Sequence, residues 1–234
     1  MGFLDDVKVD QTLQIQVVCV AFFLLVFPAY FFLKAAATDD VAGMGGVGTY
    51  SVDGEFSYID FDNGGEYIAD GETLTIPLNT DALNSEDQSR NIVGVLLSLT
   101  YGEDESGRGP PCLSQTAPDT ITGIATHLNF TNSTEGQNDG NGGHDVSTEW
   151  YNSSMIGTEV TGLSEAEIAE QLDSNGAGLG DYTLEISVSA QGDSCTLPGQ
   201  QANEDNGEDV SYTVQLIVLD YSITPYVDID DIDV

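Results

Sequence analysis

Residues 210–219 (VSYTVQLIVL) alternate large apolar side chains with smaller or polar ones in steps of two. Successive side chains of a β-strand point to opposite faces of the sheet, so this alternation predicts a strand with one face on a core. The same period recurs at residues 73–78 and 182–190. Residues 91–101 (NIVGVLLSLTY) are apolar almost throughout, which is typical of a central strand.

The second face of the last strand is unusual because it carries Ile217, Leu219 and Tyr221 where polar residues are expected. Apolar side chains on that face predict a covered surface, and the cover can be a helix, a second sheet or a neighbouring subunit. The three residues are therefore candidate interface residues.

Two more strands and one helix complete the predicted domain. Residues 56–61 read as a strand that ends in a turn, and residues 121–130 read as a strand with Ile124, Leu128 and Phe130 on its core face. The helix starts after Ser164, with Glu167 completing a capping box. Many short strands with one short helix predict a mainly β fold, an elaborated β-sandwich of immunoglobulin-like or jelly-roll type.

Residues 17–33 (VVCVAFFLLVFPAYFFL) carry no charge and predict a transmembrane helix over residues 13–37. A cleaved signal peptide is the alternative, because three alanines at 35–37 resemble a cleavage site. The acidic residues before the segment and its length favour a retained anchor. The predicted organisation is a cytoplasmic N-terminus (1–12), the span, a glycine-rich tether (38–49), the sandwich ectodomain (50–226) and an acidic tail (227–234).

The chain is strongly acidic, with a formal net charge of −36 at pH 7. Residues 35–234 hold all but three of its 40 acidic residues, against only Arg90 and Arg108. A field of this sign repels phosphate, which excludes nucleic acid as a partner. An acidic surface almost without lysine is typical of a salt-adapted, halophilic protein.

Two features favour an extracytoplasmic body, and so a single-pass cell-membrane protein with its C-terminal domain outside. Cys112 and Cys195 both follow strands in loop-like sequence, and we expect them to form a disulfide. Closing so long a loop would stabilise the fold by about 4 kcal/mol. N-glycosylation sequons occur at Asn129, Asn132 and Asn152.

Ligand and catalytic motifs are scarce. No zinc-protease or serine-hydrolase motif is present, which predicts a protein that is not an enzyme. No cofactor is expected, although calcium is possible because it prefers several oxygen ligands. Two oxygen-rich clusters are candidate calcium ligands, both of which also read as ordinary polar turns. They comprise Asp60 and Asp62 in the first cluster, and Asp139, Asn141 and Asp145 in the second.

Three functions fit this sequence. The first is a non-enzymatic envelope protein, an interaction or structural module held at the membrane that contacts other envelope proteins or its own copies. The second is a subunit of a larger membrane or filament assembly. The third is a carbohydrate-binding or carbohydrate-active ectodomain that uses Trp150 and Tyr151, although capping of the core is the commoner fate of such aromatics.

Overall fold

A computed structural model describes residues 46–102, 118–138, 141–191 and 206–226, together with Val20, Phe22–Val26 and Tyr30. Within this part of the chain, no helix has the length and apolar character needed to cross a bilayer. Most of the predicted span lies outside the described residues, as do Cys112, Cys195 and Asp139, and those predictions stay predictions.

The described chain is mainly β and forms two antiparallel sheets, which confirms the sandwich prediction at that level. The five-stranded sheet has the order β6-β3-β9-β1-β7, and the four-stranded sheet has the order β2-β8-β4-β5. The strands are, in chain order, β1 (Gly48–Ala69), β2 (Thr73–Asn79), β3 (Ile92–Gly102), β4 (Asp119–His127), β5 (Phe130–Asn138), β6 (Asn141–Glu149), β7 (Thr158–Leu163), β8 (Asp181–Ser189) and β9 (Gly207–Pro225).

Short helical elements connect the strands. They are 3₁₀ turns at Thr80–Ala82 and Ser153–Met155, and helices α1 (Ser85–Gln88) and α2 (Glu165–Leu172). The predicted capping box is present, because the Ser164 backbone N–H donates to Glu167 Oε2 at 2.8 Å and the Glu167 N–H donates to Ser164 Oγ at 3.3 Å. The bond from the Ser164 backbone N–H, and then a bond from the Ser164 hydroxyl to the same Glu167 Oε2 at 2.8 Å, favour the carboxylate and lower the pKa of Glu167.

The main core lies between the two sheets, and the first half of β9 contributes one face to it. Val210, Val214, Leu216 and Val218 are all at most 1% exposed, which confirms the alternation predicted for this strand. β3 lies between β6 and β9 and is buried along most of its length, as its apolar sequence predicts. Burial of these aliphatic side chains is the main driving force for the fold.

A smaller second core covers the outer face of the five-stranded sheet, which is the face turned away from the four-stranded sheet. Ile168 and Leu172 of α2 pack there against Ile217 and Leu219, which are 6% and 1% exposed. The prediction that this face is covered is confirmed. The interface reading of Ile217, Leu219 and Tyr221 is corrected, because the chain's own helix provides the cover.

Two expectations for β4 differ from the structure. Residues 128 and 129 form a two-residue turn between β4 and β5, and the core face of β4 carries Ile121, Ala125 and His127. Leu128 is 60% exposed in the turn, and Ile124 lies on the opposite face of β4, so neither belongs to the core face predicted for them. Leu128 lies outside the alternation of β4 because the chain reverses at the turn. Phe130 is 40% exposed but lies directly opposite His127 on the core-facing side, with its ring centroid 6.1 Å from that of Trp150.

Leu128 adopts a left-handed backbone with φ 52°, a conformation that costs a branched residue about 1–2 kcal/mol. We expect Leu128→Gly to raise the free energy of unfolding by about 1 kcal/mol, because relief of this strain exceeds the entropy that glycine adds to the unfolded chain. Urea denaturation measures the change. Leu128→Ala is the control, since it removes the exposed side chain but keeps the Cβ atom, and an equal gain from both variants would contradict the argument.

The acidic charge is almost unpaired in the described residues, where the only salt bridge joins Arg90 Nη2 to Asp220 Oδ2 at 3.1 Å. Salt shortens the Debye length from about 10 Å at 0.1 M to about 3 Å at 1 M and so weakens self-repulsion. We expect the melting temperature to rise by roughly 5–10 °C over this range of KCl or NaCl. Differential scanning fluorimetry tests this, and a flat response refutes it. The same gain from millimolar calcium alone would indicate a calcium site instead.

Candidate interaction surface

The longest strand, β1, is paired unequally on its two sides. β9 pairs with it continuously from Tyr50 to Ala69, whereas β7 pairs with its opposite side only from Gly48 to Val52. Beyond Val52, no described strand lies on that side of β1. We call this segment, residues 53–66, the β1 edge. Its backbone groups that point away from β9 have no ladder partner in the described chain.

The β1 edge is exposed and combines aromatic with acidic side chains. Phe56 is 40% exposed and Tyr58 is 52% exposed. Asp53, Glu55 and Asp60 are also exposed. The arrangement therefore offers backbone hydrogen-bonding groups, negative charge and apolar surface along one line.

Tyr151 extends the aromatic surface beside this edge. Its ring centroid lies 6.0 Å from that of Phe56, with the ring planes tilted by 55°. Burial, and then the nearby negative charge of Glu149, raise the pKa of Tyr151 to about 12. Tyr151 therefore keeps its proton and is a hydrogen-bond donor at neutral pH.

A β-bulge at Phe61 interrupts the β1 edge and separates the faces on which the first pair of predicted calcium ligands lies. Asp60 lies opposite Gln215 and Asp62 lies opposite Val214, and these neighbours on β9 point to different faces of the sheet. Accordingly, Gln215 Nε2 donates to Asp60 Oδ1 at 2.8 Å, and the Tyr212 hydroxyl donates to Asp62 Oδ2 at 3.4 Å. The two carboxylates therefore have different hydrogen-bond partners on β9, and the calcium site stays a prediction.

A surface hollow of about 390 Å³ lies at this bulge, lined by Asp60, Asp62, Asn63, Ser211 and Thr213 among others. The described residues contain no group of three or more His, Cys, Asp or Glu side chains that could hold a metal ion. The hollow is therefore a polar feature of the edge.

The second calcium cluster is also dispersed. Asn141 and Asp145 lie on β6, where they pair with Gly102 and Ser98 of β3. Four residues along a strand span roughly 13 Å, which is too far for two ligands of one calcium ion. The third predicted ligand, Asp139, lies outside the described residues.

The consecutive aromatics Trp150 and Tyr151 belong to different cores. Trp150 packs against the main core, and its indole Nε1 donates to the Ile92 carbonyl at 3.0 Å. Tyr151 packs against the second core under α2. Because the two rings serve different clusters, they do not form the shared stacking platform that the carbohydrate hypothesis requires.

His127 is a structural residue that is buried on the core face of β4. It is 1% exposed and stacks on Tyr182, with ring centroids 3.9 Å apart. Its Nδ1 lies 2.8 Å from the Asp181 carbonyl oxygen, and its Nε2 is hydrogen-bonded to the Ala177 carbonyl. A neutral imidazole donates to one of these carbonyls and an imidazolium donates to both, so this ring ties the segment after α2 to β4.

The three sequons differ in accessibility. Asn129 is exposed in the β4–β5 turn, and its side chain makes no hydrogen bond within the described chain. Asn132 Nδ2 donates to the Ser147 carbonyl at 2.7 Å, and Asn152 Nδ2 donates to Gln171 Oε1 at 2.8 Å. If the chain is glycosylated, Asn129 is the site we expect first, because its amide is the one without a competing partner.

The strands that precede the two loop cysteines leave the sandwich at the same end. The last residue of β3, Gly102, pairs with Asp209 at the start of β9, and Ser189 at the end of β8 pairs with Thr120 at the start of β4. Asp70 joins the two sheets at this end, because its N–H donates to the Asn206 carbonyl at 2.8 Å and its Oδ1 accepts from the Ala190 N–H at 3.0 Å. The connections that carry Cys112 and Cys195 therefore begin and return at one end. The disulfide itself stays a prediction.

Comparison with known proteins does not assign this chain to a family. No protein-family model matches the chain, and no curated protein matches it. A solved structure of Broad Bean Stain Virus is 10% identical, with a TM-score of 0.29, and the match covers 80% of this chain and 92% of that one. A structure of Desmodium yellow mottle tymovirus is 9% identical, with a TM-score of 0.24, and the match covers 76% of this chain and 90% of that one. Likenesses this weak carry no argument about function.

Proposed function

We propose that this chain is a non-enzymatic interaction or structural protein of the cell envelope, anchored in the membrane with its sandwich outside the cytoplasm. The observation that carries the proposal is the exposed β1 edge, where unpaired backbone, carboxylates and aromatic rings lie along one strand. Such a surface suits contact with another macromolecule, because it is long and open rather than a closed pocket.

The proposed location rests on the sequence. The uncharged residues 17–33 provide the anchor, and the sequons and loop cysteines fit an exported body. Protease added to intact cells should remove the body and leave a short membrane-bound fragment. A body that resists protease until the cells are lysed would refute the location, and so would a body released into the medium with an N-terminus near Thr38.

Membership of a larger assembly is the second candidate, and the same exposed edge favours it. Extraction of the full chain in mild detergent, followed by light scattering, separates the two possibilities. A monomer supports a module that meets its partners transiently, whereas a defined complex with partner chains supports a subunit. The carbohydrate hypothesis is third, because Trp150 and Tyr151 face different clusters.

A further inference from the structure

We propose that the β1 edge binds an extended, cationic segment of a partner protein, which adds to the five-stranded sheet as a further strand. This inference rests on the proposed interaction function and names the chemistry of its partner. The partner segment would run along residues 53–66, on the side of β1 opposite β9.

The backbone gives the first argument. In an antiparallel ladder, alternate residues direct their N–H and C=O groups to opposite sides of the strand, so half of those groups on the β1 edge point away from β9. Natural sheets protect such edges with short strands, prolines, β-bulges, charged side chains or covering elements. Of these, the β1 edge has its carboxylates and the bulge at Phe61. β2, at one edge of the other sheet, is seven residues long and contains Pro77. The β1 edge is longer and contains no proline.

The charge of the β1 edge determines which kind of segment can pair with it. Residues 53–66 include five carboxylates (Asp53, Glu55, Asp60, Asp62 and Glu66) and no lysine or arginine. A second copy of this chain pairing through the same edge would bring carboxylates against carboxylates, which is destabilising. Lysine or arginine in the added strand would instead form cross-strand pairs of opposite charge.

Arg90, the one lysine or arginine among the described residues, already has hydrogen-bond partners. Arg90 donates through Nη2 to Ser57 Oγ at 2.7 Å and to Asp220 Oδ2 at 3.1 Å. It therefore neutralises Asp220 on β9 and leaves the carboxylates of the β1 edge for a partner. Phe56 and Tyr58 supply apolar contact for the uncharged positions of the added strand.

The test uses the full chain in detergent and a labelled, acetylated peptide of about ten residues that alternates lysine with valine. We expect saturable binding by fluorescence anisotropy at about 0.15 M salt, and slower amide hydrogen exchange within residues 53–66 when the peptide is bound. A peptide of the same charge that is N-methylated at alternate backbone nitrogens should bind at least about tenfold more weakly, because it cannot complete the ladder.

Matched protein variants test the charge argument. Asp53→Asn, Glu55→Gln and Asp60→Asn together should weaken binding of the lysine peptide about five- to tenfold. The control changes the same charge elsewhere on the surface, through Glu86→Gln, Glu135→Gln and Asp145→Asn, and should change binding less than twofold. Equal losses from both triple variants would mean that the peptide responds only to net charge, which overturns the proposal.

Three further outcomes overturn the inference. They are no saturable binding, equal binding of the N-methylated peptide, and a peptide-free dimer in which residues 53–66 are already protected from exchange. None of these outcomes bears on the proposed envelope location, which only the protease experiment can refute. Failure of that experiment would in turn leave the peptide result standing as a property of the sandwich.

Discussion

Leu219→Asp is expected to lower the free energy of unfolding by at least about 4 kcal/mol, enough to leave much of the chain unfolded. Leu219 is 1% exposed beneath α2, where a carboxylate would have no counter-charge and would leave water. Urea denaturation followed by circular dichroism measures the loss.

The same variant separates an internal core from a subunit interface. If Leu219 packs within its own chain, the loss is independent of protein concentration, whereas an interface residue would change mainly the association constant. Tyr221→Asp is the matched control. Tyr221 is only partly buried, and burial together with a hydrogen bond to Asp173 raises the pKa of its hydroxyl to about 12. Tyr221→Asp should lower the free energy of unfolding by about 1–2 kcal/mol. Equal losses from both variants would contradict the internal packing.

His127→Ala should lower the free energy of unfolding by about 3–5 kcal/mol, because it removes a fully buried ring and leaves a cavity beside Tyr182. Trp150, the single tryptophan of the chain, reports on this site directly, since its ring centroid lies 4.8 Å from that of His127. Unfolding in urea can therefore be followed by tryptophan fluorescence.

His127→Phe separates packing from hydrogen bonding. It keeps a ring of similar size against Tyr182 but removes both hydrogen bonds to the Asp181 and Ala177 carbonyls. We expect a loss of about 1–3 kcal/mol, smaller than that of the alanine variant. A phenylalanine variant as stable as the parent would show that the hydrogen bonds contribute nothing net.

Strands with apolar faces could be predicted from the sequence, and strands without them could not. β3 and β9 bury long aliphatic side chains and were recognised. β5 and β6 lack this signal, because glycine and polar residues occupy positions where a predicted strand shows apolar ones. Gly136 is an example, since the Tyr101 hydroxyl and the His144 ring lie where its Cβ would be.

The glycines of β1 made the end of this strand difficult to predict for the same reason. Asn63, Gly64 and Gly65 were expected to form a turn, but the strand continues through them to Ala69. A Cβ atom on Gly64 would lie 2.6 Å from the Tyr212 hydroxyl oxygen, so the glycine makes room for a cross-strand ring. Local composition cannot distinguish that use of glycine from a turn, because the reason lies on β9.

The candidate sites divide in a similar way. The burial of Ile217 and Leu219 could be predicted, because they are apolar at positions where polar residues are expected. Only the three-dimensional structure shows that α2 is the element that covers them. The placement of the candidate calcium ligands could not be predicted, because nearness in sequence does not give a shared face once a bulge or an extended strand intervenes. The β1 edge has no sequence signature, since it depends on where β7 stops.

The pairing of β1 with β9 sets the order in which the chain can fold. These are the first and last strands of the sandwich, and roughly 140 residues separate the end of one from the start of the other. At about 5–20 residues per second, a ribosome would make β9 on the order of 10 s after β1. β7, which pairs only with the first residues of β1, is made roughly 90 residues after β1 and so within that interval, whereas β9 comes at its end. Most of β1 therefore lacks its ladder partner until β9 is made, and the five-stranded sheet cannot form completely before then. An unpaired strand of this length is open to aggregation during that time.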